Sequence, residues 1–136
     1  MKFPPYQDRA ASEMAVGLTW ACSKLHLEQW DVALFFDRLS GDPDLESTLL
    51  DSEKGANVFV AKELNAAIAI SSSGCERNGV DPLSVLFHEV AHIVTDVVDY
   101  LGDGGVYDEI HELLTNRIEC LLYELWQHEQ TPKRND

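Results

Sequence analysis

The sequence is short of basic residues and short of sulfur. Ten lysines and arginines stand against 24 aspartates and glutamates, a formal net charge of −14. Such a surface repels a phosphate backbone, so nucleic acid is not an expected ligand. The acids are spread along the chain rather than blocked at one end. The charge therefore reads first as a source of solubility, with a basic protein partner as the other role it leaves open. The three cysteines, Cys22, Cys75 and Cys120, are odd in number and far apart, and no CxxC pair exists. That usage fits buried, reduced thiols in a cytoplasmic protein. No apolar run approaches the roughly 18 residues that a membrane span needs, and "MKFPPYQDRAAS" has no apolar central region of the kind a signal peptide carries. Neither a membrane nor secretion is expected. Repeats and low-complexity tracts are also missing.

What is present suits one domain with one core: 136 residues, 45% of them apolar, with 127–136 read as a tail. Prolines suited to a helix start precede Ala11, Met14, Leu18, Ala21 and Leu25 at helical spacing, which predicts a helix over 5–27. Trp30, Val32, Leu34 and Phe36 alternate as in a strand. An acidic stretch with Gly and Pro follows and reads as a loop, with one helical turn at 43–50. "ANVFVAK" and "AAIAISS" predict a hairpin of 57–62 and 66–72, and "SGCERNGV" a further loop. Asp81 as N-cap, Pro82 at the first helical position and Gly102 as C-cap bound a helix over 82–101. After a "GDGG" loop, Ile110, Leu114, Ile118, Leu121 and Leu125 form the expected buried stripe of a last helix over 107–127. The order implies an α+β domain: an N-terminal helix, a small, mostly antiparallel sheet with a hairpin, and two helices.

The chemistry is concentrated in "HEVAHIVTD", residues 88–96. On a helix, His88 and His92 lie about 40° apart on one face. Leu86, Val90, Ile93, Val94, Val97 and Leu101 gather on the other side. Two imidazoles from adjacent turns can reach one zinc ion without distorting the backbone, and Glu89 on their flank can reach a metal-bound water. A solvated polar face is the plainer reading, but histidine is scarce and HExxH seldom arises by chance. A catalytic zinc needs a third protein ligand. Thr95 and Val98 stand where HExxHxxGxxH would want Gly and His, so that pattern is excluded. The last helix offers His111, Glu112 and Glu119, with Asp108, Glu112, Asn116 and Glu119 sharing a polar face. His111 projects about 100° away from Glu112.

These residues resemble the active-site helix of thermolysin-like gluzincin peptidases, which also carry HExxH followed by Val-Thr-Asp. The "LEQWDVALFF" strand ahead of a hairpin is similar to small zincin-like proteins of bacterial and phage genomes. The resemblance covers residues 82–119. It implies a minimal zincin-like domain with a zinc ligand about twenty residues after the second histidine, and Glu112 is twenty after His92. It also implies that the position one turn later, here Asn116, orients a histidine ligand. The implied mechanism has zinc on His88, His92 and Glu112, lowering the pKa of its water to about 7. Glu89 is then the catalytic base that takes the water's proton and passes it to the leaving amine. Tyr100 and Tyr107 are candidate oxyanion donors, and the second hairpin strand, "AAIAIS", a candidate platform for an extended substrate. The second domain and the transition-state histidine and tyrosine of the large family members have no counterpart here.

The expected function is zinc-dependent hydrolysis of one or a few cytoplasmic protein or peptide substrates. The alternative is a non-catalytic zincin-fold acidic binding or inhibitor protein. His26 and His128 read as surface residues, and Trp20, Trp30 and Trp126 as core. Oligomeric state is not set by the sequence.

Overall fold

A computed structural model describes residues 4–37, 54–60, 64–101 and 108–130, with backbone alone for 55–60, 96–101 and 108–109. The described elements are helix α1 (Ala11–Lys24), strands β1 (Asp31–Phe36), β2 (Gly55–Val60) and β3 (Asn65–Ile70), and helices α2 (Ser72–Asn78), α3 (Pro82–Leu101) and α4 (Asp108–Gln130). The class is α+β and mostly helical. The helical turn expected at 43–50, the "GDGG" loop and the end of the tail lie outside the described residues. No helix among the described residues is long and apolar enough to cross a membrane.

The expectation of a mostly antiparallel sheet is corrected. The strand order is β1-β3-β2. β1 runs parallel to β3, Asp31 opposite Asn65 and Phe36 opposite Ile70, while β2 runs antiparallel to β3, Gly55 opposite Ile70. β2 and β3 begin and end one or two residues earlier than the expected 57–62 and 66–72, and β1 starts at Asp31 rather than Trp30. The central place of β3 follows from its composition. Ala66, Ile68, Ala69 and Ile70 are all buried, and a strand apolar on both faces belongs inside a sheet rather than at its edge.

α1 is shorter than the predicted 5–27. Its first turn is closed by Glu13, which accepts from the Ala10 amide at 3.2 Å, and the chain turns out at His26, whose φ of 56° is left-handed. The segment expected to form a loop after β3 is instead a short helix. Ser71 caps α2, its hydroxyl accepting from the Gly74 amide at 3.1 Å, and Gly79 (φ 67°) ends it in the left-handed conformation that suits glycine.

α3 has the predicted boundaries and is the centre of the core. Leu83, Leu86, Phe87, Val90 and Ile93 are fully buried, each worth about 1.5–3 kcal/mol relative to exposure. α1 crosses it at Gly17, where a Cβ would meet Leu83 Cδ2 at 2.6 Å. Phe87 anchors an aromatic cluster with Trp20, Tyr123 and Trp126 at ring separations of 5.5, 6.3 and 6.1 Å.

At the start of α3, Asp81 does more than cap. Its carboxylate accepts from the Leu83 amide at 3.0 Å, from Arg9 through both oxygens at 3.1 and 2.7 Å, and from the Tyr123 hydroxyl at 2.6 Å. Asp81 is 0% exposed. Burial, reinforced by the Asp81 hydrogen bond, pushes the Tyr123 phenol far above its ordinary range, and Asp81 holds the Arg9 guanidinium firmly protonated.

α4 is turned over relative to expectation. Ile110, Leu114, Leu121 and Leu125 are exposed and Ile118 is half-buried, whereas Thr115, Glu119, Leu122, Tyr123 and Trp126 are buried. The inward face carries the two large aromatics together with the hydroxyl and carboxylate that meet polar groups of α3. Its aromatic area outweighs the leucine stripe.

Candidate metal centre

α3 and α4 pack against each other in opposite directions, so Tyr123 meets Asp81 at one end and Thr115 meets Thr95 at the other, hydroxyl to hydroxyl at 2.9 Å. Between those ends the His88 and His92 Nε2 atoms lie 3.1 Å apart. Glu112 reaches in from α4, its Oε1 3.4 Å from His88 Nε2. One ligand atom from each of these three residues falls within 4.8 Å of the others. All three predicted ligands are thus brought together.

The donor set suits zinc: two borderline nitrogens and a carboxylate oxygen. Bonds of about 2.0–2.1 Å in tetrahedral geometry place neighbouring ligand atoms about 3.3 Å apart; the two separations from His88 Nε2 lie near that value, and all three atoms fall within 4.8 Å of one another. A single proton shared between two imidazoles would also span 3.1 Å. It would not need Glu112, and a metal would.

The second layer is built from α4 and differs from the expectation. Glu119, rather than Asn116, holds a histidine: its Oε1 is 2.8 Å from His88 Nδ1. Its other oxygen accepts from the Ser84 hydroxyl at 2.7 Å, and the residue is 6% exposed. A carboxylate at this position can accept from His88 Nδ1, the arrangement that leaves Nε2 able to coordinate. The helical phase explains the difference. Seven residues beyond Glu112 return to within about 20° of it, whereas four residues overshoot by about 40°. That shared face was legible in the sequence, but the choice between Asn116 and Glu119 was not.

His92 is backed in the same manner. Its Nδ1 lies 3.4 Å from His111 Nε2, and the two rings stack at 5.5 Å. Thr95 Oγ1 is 3.3 Å from the same His111 nitrogen. His111 thus stands behind His92 and outside the converging group of His88, His92 and Glu112.

Glu89, the predicted base, follows His88 on α3 and is 9% exposed. It sits about 100° from His88 and about 60° from His92 around the helix. Tyr107 lies outside the described residues, and Tyr100 is described by its backbone alone. His26 and His128 are exposed, as read from the sequence. Burial pushes the Cys22 and Cys75 thiols up to about 11, so their thiolate forms are scarce at neutral pH.

Compared with protein-family models, curated proteins and solved structures, the chain matches none. The functional reading rests on the residues and their geometry.

Proposed function

We propose that the chain is a zinc-dependent peptide-bond hydrolase, with zinc held by His88, His92 and Glu112 and proton transfer carried by Glu89. The observation that supports this reading is the convergence of two Nε2 atoms and a carboxylate oxygen, at 3.1 and 3.4 Å, with a buried carboxylate behind one of the imidazoles. Zinc bound there would act as a Lewis acid on a carbonyl oxygen and supply an acidified water. The chain's own part is orientation and proton movement. Glu119 at His88 Nδ1 and His111 at His92 Nδ1 hold the two ring planes. Glu89 takes the proton of the attacking water and returns it to the leaving amine.

The sheet changes where a substrate would lie. Both edges of β3 are already paired, so the strand expected to receive an extended peptide cannot do so. β2 is the edge strand that also packs against α3, and backbone pairing of a peptide falls to it in this reading.

The competing reading, a zincin-fold acidic binding protein, draws on the net charge of −14. Zinc titration and Glu89→Gln separate the two. The purified chain should bind about one zinc, and zinc at about 100 times its Kd should add about 2.7 kcal/mol of stability. Glu89→Gln should retain zinc and fold yet lose about 10²-fold or more of the cleavage of its substrate in the native host's proteome. Failure to bind zinc would remove the whole proposal. Equal proteomes for wild type and Glu89→Gln would leave the binding protein.

A further inference from the structure

α4 divides into two halves that meet the rest of the molecule by different means. From Leu122 onward it is anchored by burial. Leu122, Tyr123 and Trp126 belong to the hydrophobic core, and Tyr123 donates to Asp81. Near the end of the helix, Glu129 accepts from the Trp20 indole and pairs with Lys24 of α1 at 2.9 Å. From Ile110 to Leu121, by contrast, no large apolar side chain is buried. Ile110, Leu113, Leu114 and Leu121 are 51, 53, 48 and 60% exposed, and Ile118 is half-buried. The buried residues of this half are Thr115 and Glu119. Its described contacts with α3 are polar, and most end on the metal-site histidines. Glu112 faces His88 Nε2 at 3.4 Å, and His111 faces His92 Nδ1 at 3.4 Å. Glu119 faces His88 Nδ1 at 2.8 Å and accepts from Ser84. The Thr115 hydroxyl meets that of Thr95 at 2.9 Å.

Polar contacts of this kind add little net stability, because water offers the separated groups equivalent partners. Buried apolar area, the usual source of helix docking, is missing here, and a helical segment of about ten residues is marginal on its own in water. Bonds from a metal to its ligands are far stronger than any of these contacts. We propose that the first half of α4, residues 110–118, docks on α3 only when His88, His92 and Glu112 share a zinc ion. Without the ion this half frays back to Glu119, while the second half stays packed. The inference rests on the zinc reading above. Zinc affinity then includes the cost of ordering the helix, so metal uptake, helix docking and assembly of the site are one equilibrium. Glu112 sits on the fraying half with a side chain 54% exposed, and it is the ligand that arrives last.

Exposed leucines on the two halves give a matched test. Leu113 and Leu125 are 53 and 46% exposed, and glycine at either position lowers helix propensity by the same amount. Where helix must form as zinc binds, that loss appears in the zinc Kd; where helix is already formed, it does not. Competition titration should therefore give a Kd weakened roughly 3–5-fold for Leu113→Gly and unchanged within about twofold for Leu125→Gly. Hydrogen exchange on the unaltered chain is a second measurement that needs no substitution. Amides of residues 114–118 should exchange close to open-chain rates without zinc and at least about tenfold slower with it, whereas those of 124–128 should be protected in both states. A wild-type chain that binds no zinc removes the metal reading and this inference with it. Zinc bound at full affinity by both variants, or amides 114–118 equally protected with and without the metal, leaves the ligand assignment standing and overturns the inference. So does equal weakening by the two glycines, which would make α4 a single unit.

Discussion

Two polar clusters bridge α3 and α4, and they are built on opposite principles. At the N-terminal end of α3, Asp81 is fully buried, and its contacts to Arg9, Tyr123 and the Leu83 amide saturate it. Each donor there already points at an acceptor, and no coordinating atom remains for a ligand. Two turns along, one nitrogen or oxygen each of His88, His92 and Glu112 lies within 4.8 Å of the others, and Glu119 and His111 stand at the far nitrogens of the two rings. The first cluster holds the helices together. The second is held by them. Composition alone does not distinguish the two, since both mix acids with donors; the arrangement of the partners does.

Separating the clusters experimentally tests that distinction. The largest effect on stability is expected from Asp81→Ala, which strips the helix cap and leaves Arg9 and Tyr123 without their acceptor. A loss of about 3–5 kcal/mol in chemical denaturation is expected, with zinc affinity of the folded fraction changed by less than about threefold. A parallel loss of zinc binding would show that the two clusters are one unit. Glu119→Gln comes next. It keeps size and removes the charge, so zinc affinity should fall by about 10–100-fold in competition titrations, with fold retained. No change there would mean that His88 is oriented by something other than Glu119. The smallest effect is expected from Gly17→Ala. Helix propensity gains about 1 kcal/mol, while the contact with Leu83 Cδ2 at 2.6 Å costs about 1–3 kcal/mol. The net should be a loss of at most about 2 kcal/mol, with zinc affinity unmoved.

The sequence was most legible where short-range rules act alone. Asp81 and Pro82 mark the start of α3 through capping and a fixed φ, and the expected span of 82–101 is the observed one. His88 and His92 were placed by one helical period; Glu112 was singled out from His111 and Glu119 only by the spacing that the family resemblance implies. Legibility fell where a choice depended on what lies across the core. The leucine stripe of α4 has ordinary core periodicity, yet the face with Tyr123 and Trp126 won the interior, because it alone meets Asp81, Ser84 and His88. Alternation located strands but not their order, and β3 took the centre through burial on both faces. α2 was read as a loop because its seven residues, SSGCERN, lack an apolar period; the Ser71 cap and Gly79 define it instead.

Asp81 touches residues 72 positions before it and 42 after it. α3 and α4 can begin to pair as neighbours soon after both have formed, but the clasp between them closes only when the chain's N-terminal segment arrives from the far side of the molecule. The cost of bringing such distant partners together is a loop entropy that local helix pairing does not offset. The Asp81 clasp is therefore expected to close late on the folding route rather than early. A chain lacking residues 1–10 should form its helices at near-normal speed, yet hold α3 and α4 in a looser register.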